Sequence, residues 1–370
     1  MTDPVGLQRP SRRQLLQAAA LCAAAGLLPR SSRSATLQVP TVDTLAATVV
    51  VDGAFDLFMR PARSHGVAVQ PARRFADYRR SLHNEWGLSL WLESKAAGTG
   101  RTLLLDYGYT PEVLANNLEL LGLNPATVDA LIISHGHYDH FGGLVGFLDR
   151  FRSVLPADLK LYAGGEDNFC RRLAPAGPGQ YTDFGVLDRR ELRARKVTTV
   201  LAEQPVIVEG QAFTTGRIQR RSLEKVLPNS WEQFGMQDGV GCDSTKYLPA
   251  EMVGKTVPDE HIHEHATCFN VRDRGLVVIS SCGHVGIVNS VRQAQEVSGI
   301  QKVHAIVGGF HLGPAPQDYL AQVVGEIRKL EPDVVIPMHC SGLNFVEEAR
   351  RQMPDNLLLS TTGCRITFGA

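Results

Sequence analysis

From residue 48 onward, apolar residues fall into short runs and helical stripes, and the order of these elements predicts the fold. Residues 48–51 are β-branched and apolar and predict a first strand, closed by Asp52-Gly53. The runs 88–92 and 103–105, separated by a glycine-containing turn at 95–100, predict a hairpin. Pro111 opens a helix over 112–121 with Leu114, Leu118 and Leu121 on one face, ended by Gly122 and Pro125. A strand at 130–133, a helix at 144–151 and a strand at 159–163 follow.

Two stretches break the regularity. Residues 59–80, rich in Arg and Pro, read as a surface loop or lid. Residues 164–260 read as an irregular insertion, with loops at 170–185 and 229–246 and strands only at 205–208 and 212–215. Loops held over a rigid sheet usually carry specificity. Regular elements resume with strands 267–271 and 276–280, helix 290–297, strand 304–307, helix 319–330, strand 334–338 and helix 345–352. Two strand-rich halves, each with helices, predict an α/β fold packed as a four-layer αβ/βα sandwich.

Candidate chemistry is concentrated between the strand at 130–133 and the helix at 144–151. There, His135, His137, Asp139 and His140 occupy four of six consecutive positions. Neutral imidazoles and a carboxylate are the donor set of Zn²⁺ and its neighbours, whereas a solvated turn favours Gly, Asn, Asp and Pro. A catalytic ion needs three protein ligands and an open position, so partners are expected elsewhere. His284, His311 and His339 each follow an apolar strand that ends in small residues, where sites form in α/β sheets. Alone, each reads as a hydrogen-bonded loop histidine. Alongside His135–His140, His284 and His339 read as ligands, and His311 stands between ligand and loop residue. Asp106, at a strand end, reads either as the acceptor that orients a ligating histidine or as a turn aspartate. The tract His261-Ile262-His263-Glu264-His265 reads as a partly exposed loop in preference to a second metal face. Cys282 as a nucleophile lacks an evident base partner, and a neighbouring metal explains its setting better.

Lys plus Arg and Asp plus Glu both total 38, which argues against nucleic acid or an anionic membrane as partner and for a small molecule. The seven cysteines show no paired C-x-x-C spacing, and their pairing is not readable. Ser11-Arg12-Arg13-Gln14-Leu15-Leu16, followed by an Ala- and Leu-rich run to Leu28, has the order of a twin-arginine export signal. Residues 1–35 are accordingly expected to be a signal peptide cleaved near Ser34 or Ala35, and 36–370 the mature domain. A membrane anchor or amphipathic helix is the alternative, but the run is short for a span of about 20 residues, so no stable anchor is expected. The partners implied are the twin-arginine machinery and a small-molecule substrate, and the compartment is the periplasm.

His135-x-His137-x-Asp139-His140 resembles the signature of the metallo-β-lactamase fold superfamily. Further blocks resemble the branch named for dihydropterin-ribofuranosyl-aminobenzene-phosphate synthase. They are Glu85-Trp86-Gly87-Leu88-Ser89, Leu105-Asp106-Tyr107-Gly108, Thr215-Gly216-Arg217-Ile218-Gln219-Arg220, Gly309-Phe310-His311-Leu312 and His339-Cys340-Ser341-Gly342, with 134–144 and 281–287. The likeness covers about residues 48–368. It implies an αβ/βα sandwich with His135, His137 and His284 on one metal and Asp139, His140 and His339 on another. His311 then lies behind the ligands or faces substrate. The cofactor is expected to be Zn²⁺, one or two ions, with Fe or Mn as alternatives. Where many members carry a bridging aspartate, this chain has Cys282 or its neighbours. Where the branch has His-Gly-Leu-Ser and Glu-Gln-Ala, this chain has Trp86-Gly87-Leu88-Ser89 and Glu264-His265-Ala266. The expected function is an exported metal-dependent hydrolase of a small-molecule ester or phosphoester, using metal-bound hydroxide that Asp139 helps to orient. Two alternatives stand beside it: the synthase-type transfer, against which export tells, and a non-catalytic metal or ligand-binding protein.

Overall fold

In the computed structural model, residues 36–227 and 230–369 are described, so the expected signal segment at 1–35 lies outside the described residues. Strand periodicity explains how the layers form. In the strand Thr99–Leu105, Leu103 and Leu105 point into one apolar cluster and Leu104 into another. Ile132 and its neighbours Leu131 and Ile133 divide the same way, as do Val277 and Ile279 against Val278. Each sheet is therefore apolar on both faces and needs a cover on each side.

A nine-stranded sheet and a seven-stranded sheet share the central cluster, which joins Leu45, Val49, Leu90 and Leu103 to Phe269, Val277, Ala305 and Val334. The helices Pro111–Leu120 and Leu144–Phe151 cover the outer face of the first sheet through Leu114, Leu118, Leu144 and Phe147. The helices Ile287–Ser298, Gln317–Lys329 and Leu343–Gln352 cover the second through Val291, Leu320, Val324 and Phe345. The result is the four-layer α/β sandwich that the sequence predicts. Thr110 caps the helix Pro111–Leu120 by accepting from the Val113 N–H.

Two expectations are corrected. Within 59–80, Ala62–Ser64 and Val67–Gln70 form a hairpin that extends the nine-stranded sheet by pairing with the strand Arg365–Phe368. The insertion is also more regular than its composition suggests. Arg171–Gly177, Gln180–Asp183, Trp231–Gln233 and Thr256–Pro258 form a four-stranded sheet of their own, so parts of the expected loops at 170–185 and 229–246 are strands. A disulfide joins Cys170, just before the strand Arg171–Gly177, to Cys242. Among the described residues no helix is long and apolar enough to cross a membrane.

Two sets of three parallel strands position the site. Thr99–Leu105, Ala130–Ile133 and Lys160–Ala163 run parallel in one sheet, and Gly275–Ser280, Val303–Gly308 and Val334–Pro337 in the other. Asp106 and His135 lie just past the C-terminal ends of the first set, and His284, His311 and His339 past those of the second.

Candidate metal centre

After the strand Ala130–Ile133 the chain makes one short helix, Tyr138–Phe141, which puts Asp139 and His140 in a single turn next to His137. His135, His137 and His284 come together with their ligand atoms within 4.8 Å of one another, and so do Asp139, His140 and His339. His135 Nε2 lies 3.3 Å from His284 Nε2. Asp139 Oδ2 is 3.2 Å from His339 Nε2 and 3.7 Å from His140 Nε2.

The hydrogen bonds determine which nitrogens are free. Asp106, fully buried, accepts from the Ser134 N–H at 2.8 Å, from the Ser134 hydroxyl at 2.7 Å and from His140 Nδ1 at 2.8 Å. A carboxylate only accepts, so His140 carries its proton on Nδ1 and has a lone pair on Nε2. Because the Ser134 hydroxyl donates to Asp106, its oxygen accepts from His135 Nδ1 at 2.9 Å, which frees His135 Nε2. Ser230 donates to Asp259 at 3.3 Å and accepts from His137 Nε2 at 2.9 Å, which leaves Nδ1 as the free atom of His137.

Charge states agree with this assignment. Burial, reinforced by the neighbouring imidazoles, holds His135 and His284 well below the ordinary histidine pKa, so both are neutral. Burial alone would raise Asp139, but His140 and His339 outweigh it and hold the carboxyl below the usual carboxylate range. Burial would likewise lower His339, yet Cys340 and Asp139 raise it to about 9. The donor set fits an ion of the Zn²⁺ type. Two imidazole nitrogens about 2.05 Å from a tetrahedral ion stand about 3.3 Å apart, and that is the His135–His284 separation of 3.3 Å. Asp139 Oδ1 and His140 Nε2 are buried without a hydrogen-bond partner among the described residues, a costly state that an ion relieves.

Buried carboxylates hold the other ligand loops. Glu264 accepts the backbone N–H groups of His284 at 3.1 Å and Val285 at 2.8 Å, and burial pushes its pKa up to about 7. Asp52 accepts the His339 N–H at 2.8 Å. Asp106, His261, His311 and His339 all have positive φ without being glycine, a backbone cost characteristic of functional sites. Gly164 is required where it stands, because a Cβ there would lie 1.6 Å from the His263 carbonyl oxygen.

The tract 261–265 is corrected most. His261, His263, Glu264 and His265 are buried, not partly exposed. His261 stacks on His284 with ring centroids 3.9 Å apart and groups with His137 and Asp259 within 4.8 Å. His263 Nε2 accepts the Gly136 N–H at 2.9 Å, and its Nδ1 meets Asp167 at 2.8 Å. Behind them lies Arg172, fully buried, donating to Asp259 at 2.8 Å. The His-x-His-x-His spacing was the available signal for the tract; nothing local marks Arg172 or Asp259.

Cys282 also lies within ligand range of His135 and His140, and its Sγ is 3.1 Å from Cys340 Sγ. Burial raises its pKa, which tells against a free thiolate nucleophile there. His311 sits half-buried with its ring 4.1 Å from His284. Trp86, 57% exposed, lies 4.8 Å from the His339 ring and offers an aromatic face at the edge of the centre.

A four-layer sandwich with these histidine loops along one edge defines the class. The model of the metallo-β-lactamase superfamily matches residues 88–204, the span holding Asp106 and His135–His140, so this part of the chain is similar to that superfamily. Its relatives are more particular. The chain is 27% identical over 284 residues to the 7,8-dihydropterin-6-methyl-4-(β-D-ribofuranosyl)-aminobenzene-5′-phosphate synthase of Methanocaldococcus jannaschii, covering 75% of this chain and 89% of that protein. It is 26% identical over 246 residues to an uncharacterized protein of the same organism, covering 65% and 80%. Among solved structures, Tm1679, a metal-dependent hydrolase of the β-lactamase superfamily, superposes with a TM-score of 0.62 at 19% identity over 87% of this chain and 98% of that one, which shows the shared fold.

Proposed function

We propose that the protein is an exported metal-dependent hydrolase of a small-molecule ester or phosphoester. The observation that carries this reading is the side-by-side placement of two ligand triads, with the His135 and His140 rings 4.2 Å apart and Asp139 Oδ1 in the second triad without a partner among the described residues. His135 through Nε2, His137 through Nδ1 and His284 would hold one zinc-type ion, and Asp139, His140 through Nε2 and His339 a second. Such ions, when bound, lower the pKa of a coordinated water towards 7 and polarise an ester or phosphoryl oxygen. Asp106 keeps the protons on His135 and His140 away from the centre, and Asp139 Oδ1 is placed to accept a proton from the attacking water. Trp86 receives an apolar or aromatic part of the substrate. Export by the twin-arginine machinery is part of the proposal, supported by Arg12-Arg13 and by the Cys170–Cys242 bridge, which suits the oxidising periplasm.

The synthase relative favours a second reading, group transfer to a ribofuranosyl-aminobenzene phosphate by the same residues. A panel of phosphomonoesters, phosphodiesters and lactones, run beside an assay for the pterin-aminobenzene product, separates the two. Hydrolysis that disappears in His137→Ala supports the first. Product from the transfer assay alone replaces it with the second, and bound metal without turnover in either refutes both. Unchanged fractionation of an Arg12-Arg13→Lys-Lys variant would refute export.

A further inference from the structure

Three adjacent parallel strands, Gly275–Ser280, Val303–Gly308 and Val334–Pro337, each deliver one further metal-binding side chain within four residues of their C-terminal ends. These are Cys282, His311 and Cys340, whose donor atoms lie within 4.8 Å of one another. The two sulfurs are 3.1 Å apart, and Cys282 Sγ is 3.7 Å from His311 Nδ1. The His311 backbone N–H donates to Cys340 Sγ at 3.3 Å, the contact a thiolate accepts readily. Both cysteines are buried, and His311 Nε2 has no partner among the described residues. The backbone is shaped for this approach. His311 is held at φ +49, and a Cβ on Gly309 would come within 2.9 Å of Cys340 Sγ.

We propose that Cys282, Cys340 and His311 form a third metal site, adjoining the two triads at Cys282, that takes one thiophilic ion of the zinc class. Two thiolates and an imidazole are softer than the nitrogen and oxygen donors of the triads and select such an ion. Two sulfurs about 2.3 Å from a tetrahedral ion stand about 3.7 Å apart, so the pair opens by roughly 0.6 Å to bind. A disulfide would instead need closure by about 1 Å to roughly 2.05 Å. It would also leave His311 Nδ1, 3.7 Å from Cys282 Sγ, without a role, as would a simple S–H···S hydrogen bond.

Cobalt titration of the metal-stripped, full mature protein tests this, because thiolate ligation gives an intense near-ultraviolet charge-transfer band that nitrogen and oxygen ligands lack. Wild type should bind three equivalents, one of them with two-thiolate intensity. Cys282→Ser/Cys340→Ser should lose that band and one equivalent. His311→Ala, which keeps both sulfurs and alters a half-buried side chain, should keep the band and weaken uptake of that equivalent by about tenfold or more. The site is overturned by absence of the band in wild type. It is overturned equally by a one-thiolate band that survives Cys340→Ser, which would assign Cys282 to the histidine triads, or by a Cys282–Cys340 disulfide in non-reducing peptide maps of the native protein.

Discussion

Asp106→Asn is the sharpest perturbation of the centre, because it keeps the shape of the side chain and changes only the direction of its hydrogen bonds. In the native protein one oxygen accepts from the Ser134 N–H at 2.8 Å, and the other accepts from the Ser134 hydroxyl at 2.7 Å and His140 Nδ1 at 2.8 Å. If the amide nitrogen faces His140, two N–H donors meet, and His140 must move its proton to Nε2, the atom 3.7 Å from Asp139. Ser134 is then driven to donate to His135 Nδ1, which places a proton on His135 Nε2, the atom that faces His284. If the amide flips, its NH₂ meets the Ser134 N–H instead. Either way the lone pairs offered to the ions are compromised. Loss of such an orienting partner weakens metal binding about 10–100-fold, or about 1.4–2.8 kcal/mol. Competition with a chromophoric chelator measures this, with near-ultraviolet circular dichroism confirming an unchanged fold. Affinities within twofold of wild type for both ions would refute the reasoning.

Other outcomes follow from the charge states and the bridge. His339, raised to about 9, must shed a proton to bind, so affinity of its triad should climb about tenfold per pH unit up to about 9; an affinity flat between pH 7 and 9 contradicts this. His135, His261 and His284 are held neutral by burial, whereas the unfolded chain protonates near pH 6.5. The unfolded state therefore binds more protons below that value, and the melting temperature of the metal-free protein should fall as pH drops from about 6.5 to 5; a rise over that interval would contradict the assignment. Cys170–Cys242 closes a sequence separation of 72 residues, so Cys242→Ala should cost about 4 kcal/mol in denaturant unfolding; a loss below about 1 kcal/mol would show that the bridge constrains little.

The ligand loop was legible because metal binding places unusual residues close together in sequence, and the flanking elements were legible because burial on two faces imposes short, wholly apolar runs such as Ala130–Ile133. His284 and His339 could be found for the same reason, each standing a few residues beyond such a run. What escaped depends on contacts between distant segments. The hairpin at 62–70 owes its place to pairing of Val69 with Ile366, and the insertion sheet to pairing of Arg172 with Glu232. The burial of His263 arises from Gly136, 127 residues away, and Asp259 is recognisable as part of the centre only once Arg172 and His137 are beside it. The loop expected at 261–265 is present, but its burial could not be read locally because the segments that cover it are distant in sequence.

Metal content read by native mass spectrometry tests the central claim most directly. If the two triads each hold an ion, His137→Ala and His339→Ala, one from each triad, should each carry one ion fewer than wild type prepared alongside. Wild-type metal content in both variants would contradict the account.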